Sequence, residues 1–464
     1  MLRTYLLLLF AAVLPAQQKI TLPSTLDGAA QPIFVWFPTG VTGRVPLVVH
    51  LHSWSAHFDS SEAWQVALKE AQDRQWAFVA PEFRGPNERP EACASPEARQ
   101  DILDAVDYMY RRYPIDRSRT FLLGGSGGGH MTLVMAAHTP ERWRAASAWV
   151  PIADLAEWYA ETKRRGLRYW KMLEGCAGGP PGGAVGLEYS ARSPLPFLAR
   201  ARGLALDIQT GIHDGHTGSV PVSHSLLAFN ALANTNGVPE AAFSPGEIAT
   251  IVESQRLPSG YPAPPVEKRR TPILHRRSAG PARITLFEGG HETDFPAAFT
   301  WFDSLAATSS SSLPKIGDGW LGEFNHAAAQ LLALAETTPA SQYSWRPAPG
   351  VRSMSEVFMH IVETNYWIMG QAGISQLLPF PVPEAGAEKG ITKKEEIVPW
   401  LRASFDAVRR SFRIADTQKN AAFLGKETPV GNLFLRILVH THEHMGQAIA
   451  YARMNGITPP WAHQ

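Results

Sequence analysis

The sequence predicts two architectures in one chain: an α/β domain on a doubly wound, mostly parallel sheet, and after it an all-α four-helix bundle. Three observations carry this. From Gln31 to Gly124 short apolar strands alternate with amphipathic helices, the pattern of a parallel sheet covered on both faces. The stretch TFLLGGSGGGHMTLVMAAH (120–138) passes from a buried strand through a glycine-rich turn into an apolar helix. Beyond the polar run TSSSSLP (308–314), strand patterns stop and helical periodicity takes over.

Residues 1–18 read as an export signal. Arg3 supplies the positive start, Leu6 to Leu14 the apolar core, and Pro15-Ala16 a cleavage point, and the run is too short to span a bilayer. A periplasmic or extracellular protein is expected, with no stable membrane insertion after cleavage. Residues 19–307 form the α/β domain. In order, Ile33 to Phe37 and Pro46 to Leu51 read as strands, Glu62 to Arg74 as a helix, and Ala77 to Ala80 as a buried strand. Ser95 to Tyr113 is helical, with Ser95 as N-cap and Pro96 at the first helical position. Ala145 to Val150 is a further strand and Asp154 to Arg164 a helix. Gly175 to Pro196, rich in glycine and proline, reads as an irregular excursion near the site mouth. Leu206 to Gly211 and Arg283 to Glu288 return to the sheet.

The 464 residues support two or three domains. A net charge of +1 with 18% charged residues gives no electrostatic footprint for nucleic acid or an anionic membrane, and neither is expected as a partner. Cys93 and Cys176 are the only cysteines. In an exported chain they can form one disulfide, which sequence spacing does not decide, and they are too few for a thiolate metal site.

Gly124-Gly125-Ser126-Gly127-Gly128 satisfies G-x-S-x-G, the nucleophile elbow of α/β-hydrolases. The reversal from strand to helix leaves no room for side chains at Gly124, Gly125 and Gly128, and the serine itself must take a strained backbone conformation. Its Oγ then stands at a helix N-terminus, where backbone N–H groups can receive a developing oxyanion. One such donor is Gly127. The other comes from the loop after Val48 to Leu51, from Trp54 or Ser53, while His52 caps the strand end. The acid belongs in a loop after a later strand, and Asp214 in GIHDGHTGSVPVSHS fits. Asp207, inside a strand, reads as structural, and His213, His216 and His224 lack ligand spacing. His291, in the loop after Arg283 to Glu288, completes the order Ser126, Asp214, His291 as general base.

The segments PEFRGPN (81–87), GGSGGGHMTL, GIHDGHTGSVPVSHS and FEGGH together resemble the catalytic domain of the prolyl oligopeptidase family and its secreted esterase-like relatives, over about Gln31 to Leu305. The resemblance implies an α/β-hydrolase fold and the same triad. Two departures stand out. Only some thirty residues lie upstream, so the family's β-propeller is expected to be absent. The loop from Asp214 to Val220 is longer than the family's usual spacing.

In residues 315–464, Leu321 to Glu336 reads as the first helix. Ser353-Met354-Ser355-Glu356 is a capping box opening a second, to about Gln371. Thr392-Lys393-Lys394-Glu395 opens a third, to about Phe412, and Thr428-Pro429 a fourth, to Asn455. His440 and His444 share the apolar face of that last helix with Leu433, Ile437, Ala448 and Tyr451. His442 falls on another side, and His326 in the first helix lies off the buried stripe. His360 on the second helix is within reach as a third group. Spacing leaves two readings open, a metal site or hydrogen-bonded core histidines. The segments YSWRPAPGVRS (343–353), VFMHIVETNYW and LVHTHEHMGQAIAYARMNGITPP (438–460) resemble the DinB-like family of metal-binding four-helix bundles. That resemblance implies His360, His440 and His444 as ligands of a divalent metal, zinc or nickel.

The function expected is an exported serine hydrolase that cleaves a small ester or short peptide through an acyl-enzyme on Ser126. The hydrolase needs no cofactor, and the metal-binding bundle has an accessory role. The competing expectation is a metal-dependent transferase or ligand-sensing module in the bundle, attached to a degenerate hydrolase scaffold. Oligomeric state is not legible.

Overall fold

The computed structural model describes residues 17–60, 62–262, 265–308, 317, 319–373, 383–384 and 386–461. The chain divides into two compact units, Met1–Ser309 and Ser310–Gln464.

The first unit begins with strands β1 (Gln17–Pro23), β2 (Ala30–Trp36) and β3 (Val45–Leu51), then helix α1 (Glu62–Asp73) and strand β4 (Ala77–Pro81). Helix α2 (Pro96–Arg112), strand β5 (Ile115–Gly125), helix α3 (Gly127–His138) and strand β6 (Ala145–Trp149) follow. Helices α4 (Leu155–Arg164), α5 (Tyr169–Ala177) and α6 (Gly183–Arg192) precede strand β7 (Ala205–Gly211). Helices α7 (Val222–Thr235) and α8 (Pro245–Ser254), strands β8 (Ile273–Ala279) and β9 (Ala282–Phe287), and helix α9 (Phe295–Thr308) complete it.

These strands form a nine-stranded sheet in the order β1-β2-β4-β3-β5-β6-β7-β9-β8. The run from β4 to β9 is parallel, and antiparallel strands are added at both ends. Alternation along the central strand explains the layers. Phe121 and Leu123 of β5 pack with α1 and α9, while Leu122 packs on the other face with α2, α3 and α7. All three are fully buried, and truncating Phe121 to alanine costs about 3–5 kcal/mol by transfer and cavity terms. Ser95 accepts a hydrogen bond from the Ala98 N–H and caps α2.

The structure departs from the expected outline at some points and fills in others that spacing left open. Gln17 and Gln18 pair with Trp36 and Val35 in β1, so the sheet begins inside the segment read as an export signal, whose other residues lie outside those described. The segment 175–196 is not irregular. Leu173, Cys176 and Tyr189 bury against Trp54, Trp158 and Tyr159, and that burial forms α5 and α6 despite the glycines between them. Cys93 and Cys176 are disulfide-bonded, with their Cα atoms 6.1 Å apart. Thr308 ends α9, and the remainder of the expected linker, 309–314, lies outside the described residues.

The second unit holds helices α10 (Gly319–Thr337), α11 (Met354–Gln371), α12 (Ala387–Gly390) and α13 (Lys394–Ile414), strands β10 (Asn420–Phe423) and β11 (Lys426–Pro429), and helix α14 (Val430–Met454). The four long helices share one core, with Phe324, Phe358, Phe405 and Phe434 fully buried in it. Ser353 and Glu356 form the capping box of α11. The unit is not purely helical. Leu424 and Gly425, both at positive φ, turn β10 onto β11, and α14 therefore starts at Val430 rather than at Thr428. No helix among the described residues is long and apolar enough to cross a membrane.

Candidate active site and histidine cluster

Ser126 sits where β5 gives way to α3, at φ 58° and ψ −120°. A non-glycine residue held there stores roughly 1–3 kcal/mol of strain, offset by the fold around it. The Ser126 N–H donates to Trp149 O at 2.9 Å, and its carbonyl accepts the His130 N–H at 2.8 Å. Close approach explains the glycines. A Cβ on Gly128 would lie 2.1 Å from Leu51 O, and one on Gly127 would lie 2.2 Å from the Trp54 nitrogen. Gly124 and Gly125 are equally crowded, against Gly128 O and Thr293.

The structure brings the three expected side chains into one relay. His291 Nε2 is 2.8 Å from Ser126 Oγ, and His291 Nδ1 is 2.7 Å from Asp214 Oδ2. Asp214 is buried, and its other oxygen accepts the backbone N–H groups of Gly215 (2.9 Å) and Val220 (3.2 Å). An acid held on both oxygens cannot rotate. It fixes His291 with the proton on Nδ1 and the lone pair toward the serine. The long 214–220 loop thus folds back onto the carboxylate that it follows.

Of the two loop donors left open by sequence, Trp54 is the one whose nitrogen lies against Gly127; Ser53 lines the cavity beside it. Neither the Trp54 nor the Gly127 N–H is donated within the described residues. The Asn87 N–H donates to Trp54 O at 2.8 Å, so the PEFRGPN segment steadies this loop. Arg84 of the same segment is buried between Asp27 and Asp101, and its hydrogen bond to Asp27 holds that carboxyl down to about 2. His52 sets its ring nitrogens beside two backbone carbonyls, Nε2 at 2.8 Å from Glu82 O and Nδ1 at 3.0 Å from Ser53 O, and burial keeps the ring neutral, so its single N–H donates to one of them.

The residues set aside have structural duties. Asp207 is fully buried, bonded to Arg283 (2.7 Å), Ser147 (2.9 Å) and Gln209 (2.8 Å). His213 contacts Gln255 and Glu288, His216 contacts Val252 O, and His224 contacts Glu161.

In the second unit, His360 on α11 and His440 and His444 on α14 converge, with one ligand nitrogen from each lying within 4.8 Å of the others. His442 is exposed. His440 Nε2 and His360 Nε2 are 3.2 Å apart. Two nitrogens on a tetrahedral ion at Zn–N distances of about 2.0–2.1 Å are separated by about 3.3 Å, so the pair has the spacing of ligands. Burial, with the neighbouring imidazoles, pushes His440 down to about 3, and burial also lowers His360, which leaves both neutral as ligands must be. Sequence reasoning missed the outer residues. Glu388 Oε2 lies 2.9 Å from His360 Nδ1, nearer than Arg352 at 3.2 Å, so Nδ1–H donates to the carboxylate and Nε2 keeps its lone pair. His444 Nδ1 pairs with Gln447 Oε1 at 2.9 Å. His440 Nδ1 is enclosed and has no such partner among the described residues.

The fold and its elbow define the first unit as an α/β-hydrolase. Residues 94–247 match the prolyl oligopeptidase family, and residues 323–448 match the DinB superfamily, so the chain carries a domain of each. The first match contains Ser126 and Asp214, the second His360, His440 and His444. Among solved structures, the chain is similar to the acylaminoacyl peptidase of Pyrococcus horikoshii at 19% identity, covering 47% of this chain and 35% of that one, with a TM-score of 0.37. For prolyl oligopeptidase B from Galerina marginata the values are 18%, 48%, 32% and 0.39. For the acetyl xylan esterase from Paenibacillus sp. R4 they are 16%, 64%, 86% and 0.41. The chain spans about a third of the length of the two peptidases. None of the curated proteins matches it.

Proposed function

We propose that the first unit is a serine hydrolase that cleaves a small ester or short peptide through an acyl-enzyme on Ser126. The relay from Ser126 Oγ through His291 to Asp214, with contacts of 2.8 and 2.7 Å, is the observation that carries the reading. As Oγ bonds to the substrate carbonyl carbon, its proton passes to His291 Nε2, and Asp214 stabilises the imidazolium. The carbonyl electrons move onto oxygen, which the N–H groups of Gly127 and Trp54 receive. His291 returns the proton to the leaving alcohol or amine as the carbonyl re-forms. Water then repeats the cycle on the acyl-enzyme, freeing the acid and restoring Ser126. The match to the prolyl oligopeptidase family supports this chemistry.

His360, His440 and His444 would hold a divalent ion, zinc or nickel, which when bound supplies a Lewis acid in the bundle. Export is proposed from the leader-like start, and the Cys93–Cys176 disulfide supports it, since such bonds persist in oxidising compartments. A fluorophosphonate probe tests the hydrolase reading. Labelling of wild type at Ser126 and none of Ser126→Ala is expected; an unlabelled wild type returns the chemistry to the bundle.

A further inference from the structure

A cavity of about 960 Å³ opens at Ser126 and His291 and runs between α1 and α9. Its charges compensate one another. Arg269 lies 3.7 Å from Asp294 and Arg270 lies 3.1 Å from Glu292, leaving Glu62 and Lys268 as exposed rim residues. Arg269 Nε makes that ion pair without a hydrogen bond, while its other nitrogens bond to Gln209 and Thr271; the buried lining group left without any partner is a different, uncharged one. His50, on β3 in register with Leu123 three residues before the nucleophile, lines the same cavity and is 2% exposed. Its ring lies near Phe78 and Phe295, with centroids 6.0 and 5.6 Å away, and makes no hydrogen bond among the described residues; Nδ1 is wholly enclosed. Burial holds the imidazole down to about 3, so the ring is neutral and carries one N–H. An enclosed N–H without a partner costs more than an enclosed lone pair, which puts the proton on Nε2. Nε2 is then the ring's one donor.

We propose that His50 is a specificity residue, its Nε2–H donating to a neutral carbonyl or hydroxyl oxygen on the part of the substrate held in this cavity. The inference rests on the hydrolase reading and narrows it. The preferred substrate carries an uncharged oxygen beyond the scissile carbonyl, as an acylated amino acid or an oxo acid does, rather than a plain alkyl chain. A buried donor of this kind discriminates because an analogue lacking the oxygen leaves it unpaired.

The test uses full-length protein and p-nitrophenyl esters of 4-, 5- and 6-oxo acids, each beside its all-methylene counterpart. Wild type is expected to favour at least one oxo ester by about 10-fold or more in kcat/KM. His50→Phe and His50→Leu, each checked for fold by fluorophosphonate labelling of Ser126, should bring that ratio to about one. His50→Gln, which keeps an N–H donor, should retain part of it. Equal rates on every pair in wild type, or a preference surviving in a labelled variant, overturns the assignment while leaving the hydrolase intact. A wild type that cleaves no ester and takes no label removes the hydrolase reading and this one with it.

Discussion

The serine site and the histidine cluster are both built from imidazoles on a folded core, yet they close differently. In the first unit the relay is self-sufficient. Asp214 accepts from His291, His291 accepts from Ser126, and donors and acceptors alternate without remainder. In the second unit His360 and His444 direct Nδ1 outward to Glu388 and Gln447, so their Nε2 lone pairs point inward together, and His440 holds a single N–H for both. Lone pairs facing one another are balanced by a cation, not by another side chain. Counting hydrogens thus separates the proton relay proposed for the first unit from the ion site proposed for the second.

The largest expected effect attacks the first half of that contrast. Ser126→Ala should lower ester turnover by on the order of 10⁶-fold, and His291→Ala by a similar factor, since members of a triad act as a unit. Circular dichroism should show both folded. Near wild-type turnover in either would break the comparison at once. Next, Asp214→Asn should cost on the order of 10⁴-fold in kcat, because the amide leaves His291 in the wrong tautomer. Asp207→Asn should instead act on stability, since Asp207 is bonded to Arg283, Ser147 and Gln209 and not to His291. Kinetics and melting of the pair sharpen the assignment of the acid.

What could be read in advance follows from the range over which each signal acts. The elbow was legible because strand, glycines and serine are neighbours, and the meeting of Asp214 and His291 with Ser126 because all three follow strand ends at one edge of the sheet. The α5–α6 segment was not, because its glycines speak locally while Tyr189 and Cys176 are held by Trp158, Tyr159 and Cys93 from elsewhere in the chain. The β10–β11 hairpin was hidden by its length of four residues per strand. His440 and His444 carried a helical spacing, and His360, on another helix, is tied to them as a ligand only through the family resemblance. Glu388, in a four-residue helix, carried no such signal, and His50 reads in sequence as one more residue of a buried strand.

A third prediction concerns the cluster. With zinc or nickel at about 1,000 times the dissociation constant, binding to the folded state alone adds about 4 kcal/mol of stability. Chelator should therefore lower the bundle's calorimetric transition in the full chain and leave ester turnover unchanged. His440→Ala should remove the response to chelator. Turnover falling with the metal would mean that the two units share their chemistry.

The smallest effect is the sharpest test of how the cluster is built. Glu388 accepts from His360 Nδ1 at 2.9 Å, and Arg352 Nε holds the same carboxylate at 2.7 Å on its other oxygen. The Glu388 N–H donates to Glu363 Oε1 at 2.8 Å, so the residue is anchored through backbone and side chain alike. Its negative charge raises the electron density that His360 Nε2 can offer to a cation. Glu388→Gln retains an acceptor and the shape but removes the charge. Metal affinity should fall by about 10- to 100-fold, with the ligand set unchanged. Competition against a chelator of known affinity measures this on the whole protein. An unchanged affinity would make Glu388 merely the ion-pair partner of Arg352, and the orientation of His360 would then rest on the packing of α11 alone.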